Sequence, residues 1–204
     1  MASTNKTSYL NLNQWEPNDP VLREDFNADN AAVEAAAALV RLGSFTVPED
    51  TPAITVDLTP YDLSRYQEII LSAQLKSADA ANADNLTCQL NNVASGYMSL
   101  GTHDDSTYAT GSSTELSGTN YISGLWVSFH QLRLTPTETG TMGQWQCRAR
   151  IKASGASVSN QFRWNETGFF NESVTDDNLS SVRISGKNNN LAAGCRYTIY
   201  GLLK

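Results

Sequence analysis

The stretch Trp145-Gln-Cys-Arg-Ala-Arg-Ile151 alternates without a break. Trp145, Cys147, Ala149 and Ile151 fall on one side of an extended chain, and Gln146, Arg148 and Arg150 on the other. Successive side chains of a strand point to opposite faces, so this period of two predicts a strand with one buried face. The same rhythm runs through Tyr66–Leu75, where Ile69, Leu71, Ala73 and Leu75 share a face, and through Leu86, Cys88 and Leu90. Further strand candidates are Phe45–Val47, Ile54–Leu58, Tyr97–Leu100, Leu125–Leu134, Val158–Trp164, Val182–Ser185 and Arg196–Leu203. Runs rich in Gly, Ser and Asn separate them, at 94–96, 109–113, 154–157 and 185–190. Nine or ten short strands with turn signals between them predict a mainly β domain: an antiparallel β-sandwich of jelly-roll type.

Composition agrees. Asn, Ser and Thr supply 58 of the 204 residues. Such small polar side chains suit turns and sheet surfaces better than helices. The formal net charge of −7 argues against a partner bound through phosphates, so no nucleic acid is expected. No run approaches the roughly 18 apolar residues of a membrane span, so no membrane insertion is expected. The opening Met1–Lys6 has no apolar stretch of the secretory type. Cys88, Cys147 and Cys195 are an odd number at wide spacings, which predicts three buried thiols of a reducing compartment.

The first 43 residues read differently. Residues 1–15 are polar with the anchors Tyr9, Leu10, Leu12 and Trp15, and predict an extended arm. Asp19 and Pro20 have the chemistry of an N-cap and a first helical residue. Ala31–Leu42, with its alanine run, is the strongest helix signal, and Gly43 suits its terminator. Phe26, Val33 and Val40 stand seven apart, with Asn30 and Ala37 between them, forming a thin seam suited to self-association. Docking of an alanine-rich helix on the globular domain is the alternative. The expected division is therefore 1–43, arm and helix, and 44–204, the sandwich.

Signals for catalysis are sparse. A Ser–His–Asp set would have to use His103 or His130, and no Gly-x-Ser-x-Gly elbow occurs. His130 lies on the alternating face of Trp126 and Ser128, which reads as an exposed strand position. His103-Asp-Asp105 and Asp176-Asp-Asn178 read as solvated acidic turns. Neither has calcium-loop spacing, and no metal or cofactor is expected. A sugar-stacking surface could draw on Trp126, Trp164, Tyr97, Tyr108 and Tyr121 together with His130, because flat rings pair apolar area with a polar edge. Core or subunit-interface packing is the alternative for the two tryptophans. The long polar connections near 103–110, 135–143 and 165–177 are the expected display surface.

Two segments carry a resemblance. Leu12-Asn-Gln-Trp15-Glu-Pro-Asn-Asp19-Pro20-Val-Leu-Arg-Glu-Asp25-Phe26-Asn27 resembles the pattern Leu-x-x-Trp-x-x-x-Asp-Pro-x-x-x-x-Asp-Phe-Asn at the N-terminus of bacteriophage tail-fibre and head-fibre type appendage proteins, where it precedes a short alanine-rich helix. Val182-Arg-Ile-Ser-Gly186, then Leu191-Ala-Ala-Gly-Cys-Arg-Tyr-Thr-Ile-Tyr200-Gly201-Leu202, is similar to the last two strands of jelly-roll domains in such proteins, and the Gly118-Thr-Asn120-Tyr121 turn resembles theirs too. The resemblance covers the two ends and leaves the middle unmatched. It implies a homotrimeric virion component assembled in the host bacterial cytoplasm. Leu10, Leu12, Trp15, Pro17 and Pro20 would attach it to other virion proteins of capsid or tail. Phe26, Asn30, Val33, Ala37 and Val40 would trimerise it, and the sandwich would be displayed to a host-surface glycan. A purely structural head-fibre, decoration or connector role is the alternative, and a depolymerase is a third reading. The scarcity of histidines and of strand-borne acids favours binding or scaffolding over catalysis.

Overall fold

The computed structural model describes residues 5–8, 12–36, 39–79, 83–103, 106–113, 116–123, 127–152 and 160–204. Within these, the backbone alone is described at 34–36, 83, 101–103, 106–113, 116–121, 123, 149–152 and 160–165. The chain divides into two compact units, Met1–Val40 with Leu203, and Arg41–Leu202 with Lys204.

The first unit holds a two-stranded ribbon, β1 (Asn5–Lys6) and β2 (Asn13–Gln14), and helix α1 (Arg23–Ala36). Asp19 does not cap the helix. Its carboxylate accepts the Glu16 N–H at 2.9 Å and closes a local turn. The helix also ends earlier than its alanine run predicts. Leu39–Thr46 is a strand, β3, so Val40 lies outside the helix and Gly43 sits inside a strand instead of terminating one. Leu39-Val-Arg-Leu has a period of two as well as helical propensity, and strand pairing overrides that propensity here.

The remaining strands are β4 (Ala53–Asp57), β5 (Tyr66–Leu75), β6 (Ala83–Leu90), β7 (Tyr97–His103), β8 (Ser106–Ser113), β9 (Leu116–Ser123), β10 (Ser128–Thr137), β11 (Gly140–Lys152), β12 (Asn160–Asn171), β13 (Ser181–Gly186) and β14 (Arg196–Leu203). They form an eight-stranded sheet in the order β3-β14-β5-β10-β11-β12-β7-β8 and a four-stranded sheet in the order β4-β13-β6-β9.

This order is a jelly-roll with two additions. Set aside β7–β8 and β11–β12, and number the eight strands left from 1 to 8 along the chain. The sheets then read 1-8-3-6 and 2-7-4-5. Strands whose numbers add to nine are always neighbours, as when one long hairpin is rolled into two layers. Both additions attach to the same edge, beyond β10, and widen one sheet by four strands. The expectation of about ten strands fell short here. Ser106–Ser113 and Asn165–Asn171, read as connections, are strand, and Thr135–Gly143 is a tight hairpin of β10 and β11 around Glu138-Thr139. In Glu166–Asn171 buried positions alternate with half-exposed ones, so polar residues there mark a strand with one solvated face and not a loop.

The core lies between the sheets. Rungs Leu71–Leu132–Trp145–Thr167 and Ala73–His130–Cys147 face inward from the larger sheet. Ile54, Ile184 and Cys88, and Val56, Val182 and Leu90, face them from the smaller one. Each fully buried aliphatic side chain contributes about 1.5–3 kcal/mol of transfer free energy. The alternation of Trp145 and Cys147 is the one the sequence predicts, and the three cysteines are buried thiols outside any disulfide. Burial pushes the Cys88 thiol up to about 12, so it stays protonated. Strand β9 packs across onto β10, β11, β12 and β7, so the widened part of the sheet has a covered inner face as well. Near the C-terminus the ring of Tyr66 lies against Gly201, leaving no room for a Cβ there.

Candidate functional site

The histidine expected on the surface is in the core. His130 is only 4% exposed, and its phase relative to Ser128 is as the sequence predicts, but both face inward. Tertiary structure decided which face of β10 was covered, and alternation alone cannot choose. The Ser128 hydroxyl lies 2.9 Å from the Leu75 carbonyl and 2.7 Å from His130 Nε2. The hydroxyl has one proton. If it donates to Leu75, it accepts from Nε2–H, which is the wrong polarity for a histidine that activates a serine. Nδ1 is buried without a hydrogen-bond partner, so no carboxylate among the described residues orients the ring. Burial pushes the imidazole down to about 3, and it stays neutral at physiological pH. His130 cannot reach a ligand from solvent, and the binding role expected of it is corrected accordingly.

Of the expected sugar-stacking aromatics, Tyr97 is fully buried in the core and cannot meet a ligand, the Tyr121 side chain lies outside the description, and Trp126 lies outside the described residues. The backbone of Trp164 sits in β12 opposite Arg148, and that of Tyr108 in β8 opposite Gly101; both side chains lie outside the description. Of the acidic turns considered for metal, Asp104 and Asp105 also lie outside it. Among the described residues, no group of three or more His, Cys, Asp or Glu comes together.

The structure instead places a ladder of polar side chains on the outer face of the larger sheet, along β10 and β11. Its rungs are Phe129–Arg148, Gln131–Gln146, Arg133–Gln144 and Thr135–Met142. β12 extends them with Glu166, Gly168 and Phe170, and β7 with Leu100 and Met98 opposite the last two; the backbones of Trp164 and Thr102 continue the register. Four rungs cover about 20 Å along the strands. Arg133 pairs with Glu68 of β5, its Nε donating at 3.2 Å, and Gln144 donates to Glu166. Two hollows lie in succession on this face. One, of about 200 Å³, lies among Ser72, Phe129, Gln131, Gln146 and Arg148, with β10 at His130 in its floor. The next, of about 330 Å³, lies among Glu68, Arg133, Thr135, Met142 and Gln144. Phe129, Met142, Met98 and Leu100 are each about half exposed, an unusual load of large apolar side chains for an open sheet face. The sequence carried the signal for this face in Gln146 and Arg148, which alternate outward from Trp145 and Cys147. It did not show that neighbouring strands would line up their own amides and arginines beside them.

In the N-terminal unit three motif residues, Trp15, Asp25 and Phe26, join Asn13 and Asp29 in one cluster. The Asp29 carboxylate accepts the Asn13 backbone N–H at 2.9 Å and its side-chain amide at 2.7 Å. The same amide reaches the Asp25 carbonyl at 3.1 Å. Trp15 stacks on Phe26 with ring centres 5.2 Å apart. The arm is thus pinned to the first half of the helix. Leu12 and Trp15 are half-buried, Pro17 and Pro20 are exposed, and Leu10 lies outside the described residues. Of the expected trimer seam, Phe26, Asn30 and Val33 are exposed on the helix; Ala37 lies outside the described residues, and Val40 belongs to β3.

Comparison with protein-family models, with curated proteins and with solved structures returns no match.

Proposed function

We propose that this chain is a bacteriophage virion appendage protein, anchored to the particle through its N-terminal unit and displaying a trimeric jelly-roll that binds a host-surface glycan. The observation that carries the reading is the separate build of the N-terminal unit. The motif residues Trp15, Asp25 and Phe26 are tied in with Asn13 and Asp29 by hydrogen bonds and ring stacking, while Pro17, Pro20, Val33 and about half of Phe26 face solvent. A helix with an exposed apolar stripe gains stability by meeting copies of itself. Three displayed domains would turn weak single sites into firm attachment through avidity. The widened sheet face supports the display half of the reading, because it is broad, solvated and lined with amides, arginines and apolar side chains.

The experiment measures binding of the purified full chain to intact host cells and, separately, its incorporation into particles when residues 1–20 are deleted. Cell binding by the full chain, with loss of incorporation by the truncated one, is the expected result. Incorporation without any cell or glycan binding would support a purely structural head-fibre, decoration or connector part instead.

A further inference from the structure

We infer that the outer face of β10–β12, at the rung of Phe129 and Arg148, binds a carboxylate-bearing sugar residue of a surface polysaccharide, an assignment that rests on the adhesin reading above.

Charge points there first. By register, the positions of Arg133, Arg148, Arg150 and Lys152 fall on this face against Glu68 and Glu166, whereas Arg163, opposite Ala149, falls on the other. With four basic positions against two acidic ones the face is net positive by two, although the whole chain has a net charge of −7. A basic island in an acidic protein concentrates an anionic ligand at one place and repels it elsewhere.

Hydrogen-bonding capacity then selects the end of the ladder. Arg133 is committed to Glu68, and Glu166 accepts from Gln144. Arg148 is exposed and has no hydrogen-bond or ion-pair partner among the described residues. Its guanidinium fork matches a carboxylate with two parallel N–H···O bonds, a geometry that a lysine ammonium would not offer. Gln131, Gln146 and Ser72 line the same hollow and are likewise without described partners. Their amides and hydroxyl supply donors and acceptors for sugar hydroxyls. Phe129, 56% exposed, gives the C–H face of a pyranose a ring to lie on. The neighbouring hollow at Arg133, Thr135 and Gln144 continues the groove along the strands for further rings of the same chain. A sheet built from straight strands offers such a track where a loop cluster would offer a single pit.

The test titrates the full-length protein with a four-ring oligogalacturonate, with its methyl-esterified counterpart, and with a neuraminic acid dimer. The ester keeps the rings and removes the charge. Wild type should bind at least one acidic probe, and the methyl ester should bind about tenfold more weakly or worse. Arg148→Gln, a change at an exposed position, should lose the same factor on the acidic probe with an unchanged circular dichroism spectrum. Phe129→Ala should weaken acidic and esterified probes alike. No binding of any acidic probe, equal binding of acid and ester, or an Arg148→Gln variant that binds like wild type overturns the assignment. Host-cell binding by Arg148→Gln is read alongside. If it persists undiminished, the site is refuted and the adhesin reading survives. If wild type itself binds no cells, the adhesin reading fails whatever the probes do.

Discussion

Leu90 donates its backbone N–H to the phenol oxygen of Tyr97 at 2.7 Å, and both residues are fully buried. Leu90 ends β6 in the smaller sheet, and Tyr97 begins β7 in the larger one. The bond therefore ties the layers together where the first added pair of strands leaves the jelly-roll. Burial pushes the phenol up to about 12, so it stays a neutral donor and acceptor across the physiological range. Tyr97→Phe keeps the ring and leaves the Leu90 N–H buried without its partner. The expected cost is about 1–3 kcal/mol, read as a lower urea midpoint with an unchanged slope. An unchanged midpoint would mean that the bond contributes nothing.

His130 makes stability depend on acid. An unfolded histidine titrates near 6.5, whereas the buried ring titrates at about 3. Between these values the unfolded chain holds the extra proton, so stability rises with pH and is lost as pH falls from about 6.5 toward 3. Well below 6.5 this one group contributes a slope of up to about 1.4 kcal/mol per pH unit. His130→Gln removes the titration and keeps an N–H for the Ser128 oxygen. Unfolding free energies at pH 7.5, 5.5 and 4.5 should converge between variant and wild type as acid is added. Parallel curves would sink the assignment.

Asp84 is a buried carboxylate with a purely local task. It accepts the backbone N–H groups of Asn188 at 3.0 Å and Asn189 at 2.9 Å, and the Asn188 side-chain amide at 2.8 Å. It thereby holds the 186–190 turn against β6. Asp84→Ala strands these donors and should cost about 2–4 kcal/mol. The same variant should become sensitive to limited proteolysis within 186–190 while the wild type resists.

Val33 tests assembly more cleanly than Phe26, which is also committed to Trp15. Light scattering should find the wild type at three times the chain mass of 22.2 kDa. Val33→Asp places a charge in the stripe and should reduce that mass to a single chain without changing the β spectrum. A wild-type monomer at micromolar concentration would remove the trimer.

The alternating strands were the most legible part of the molecule. Trp145, Cys147, Leu71 and Leu86 all face the core as their period predicts. Alternation fixes which residues share a face and leaves open which face is covered. His130 is the case in point: its phase was readable, its burial was not. The end of the helix was misread for a different reason. Leu39–Leu42 fits a helix by propensity and a strand by pattern, and only the neighbouring strand decides between them. The candidate face was least legible, because a rung such as Gln131–Gln146 joins residues of two strands through register, which no single strand reveals. Strands β8 and β12 were partly hidden by polar sequences that resemble turns.

The rolled topology also sets the order in which the protein can be made. β14 lies between β3 and β5, so the first and last strands of the sandwich are direct neighbours. Until Arg196–Leu203 has been synthesised, β3 and β5 have a gap between them and expose unpaired edges. The larger sheet therefore closes only once β14 has been made, and a chain lacking that strand leaves two sticky strands instead of a slightly smaller domain. Such long-range closure is slow and exposes the chain to aggregation while it waits. The polar, small-residue composition of the outward faces then has a second use, keeping the open sheet soluble during that interval.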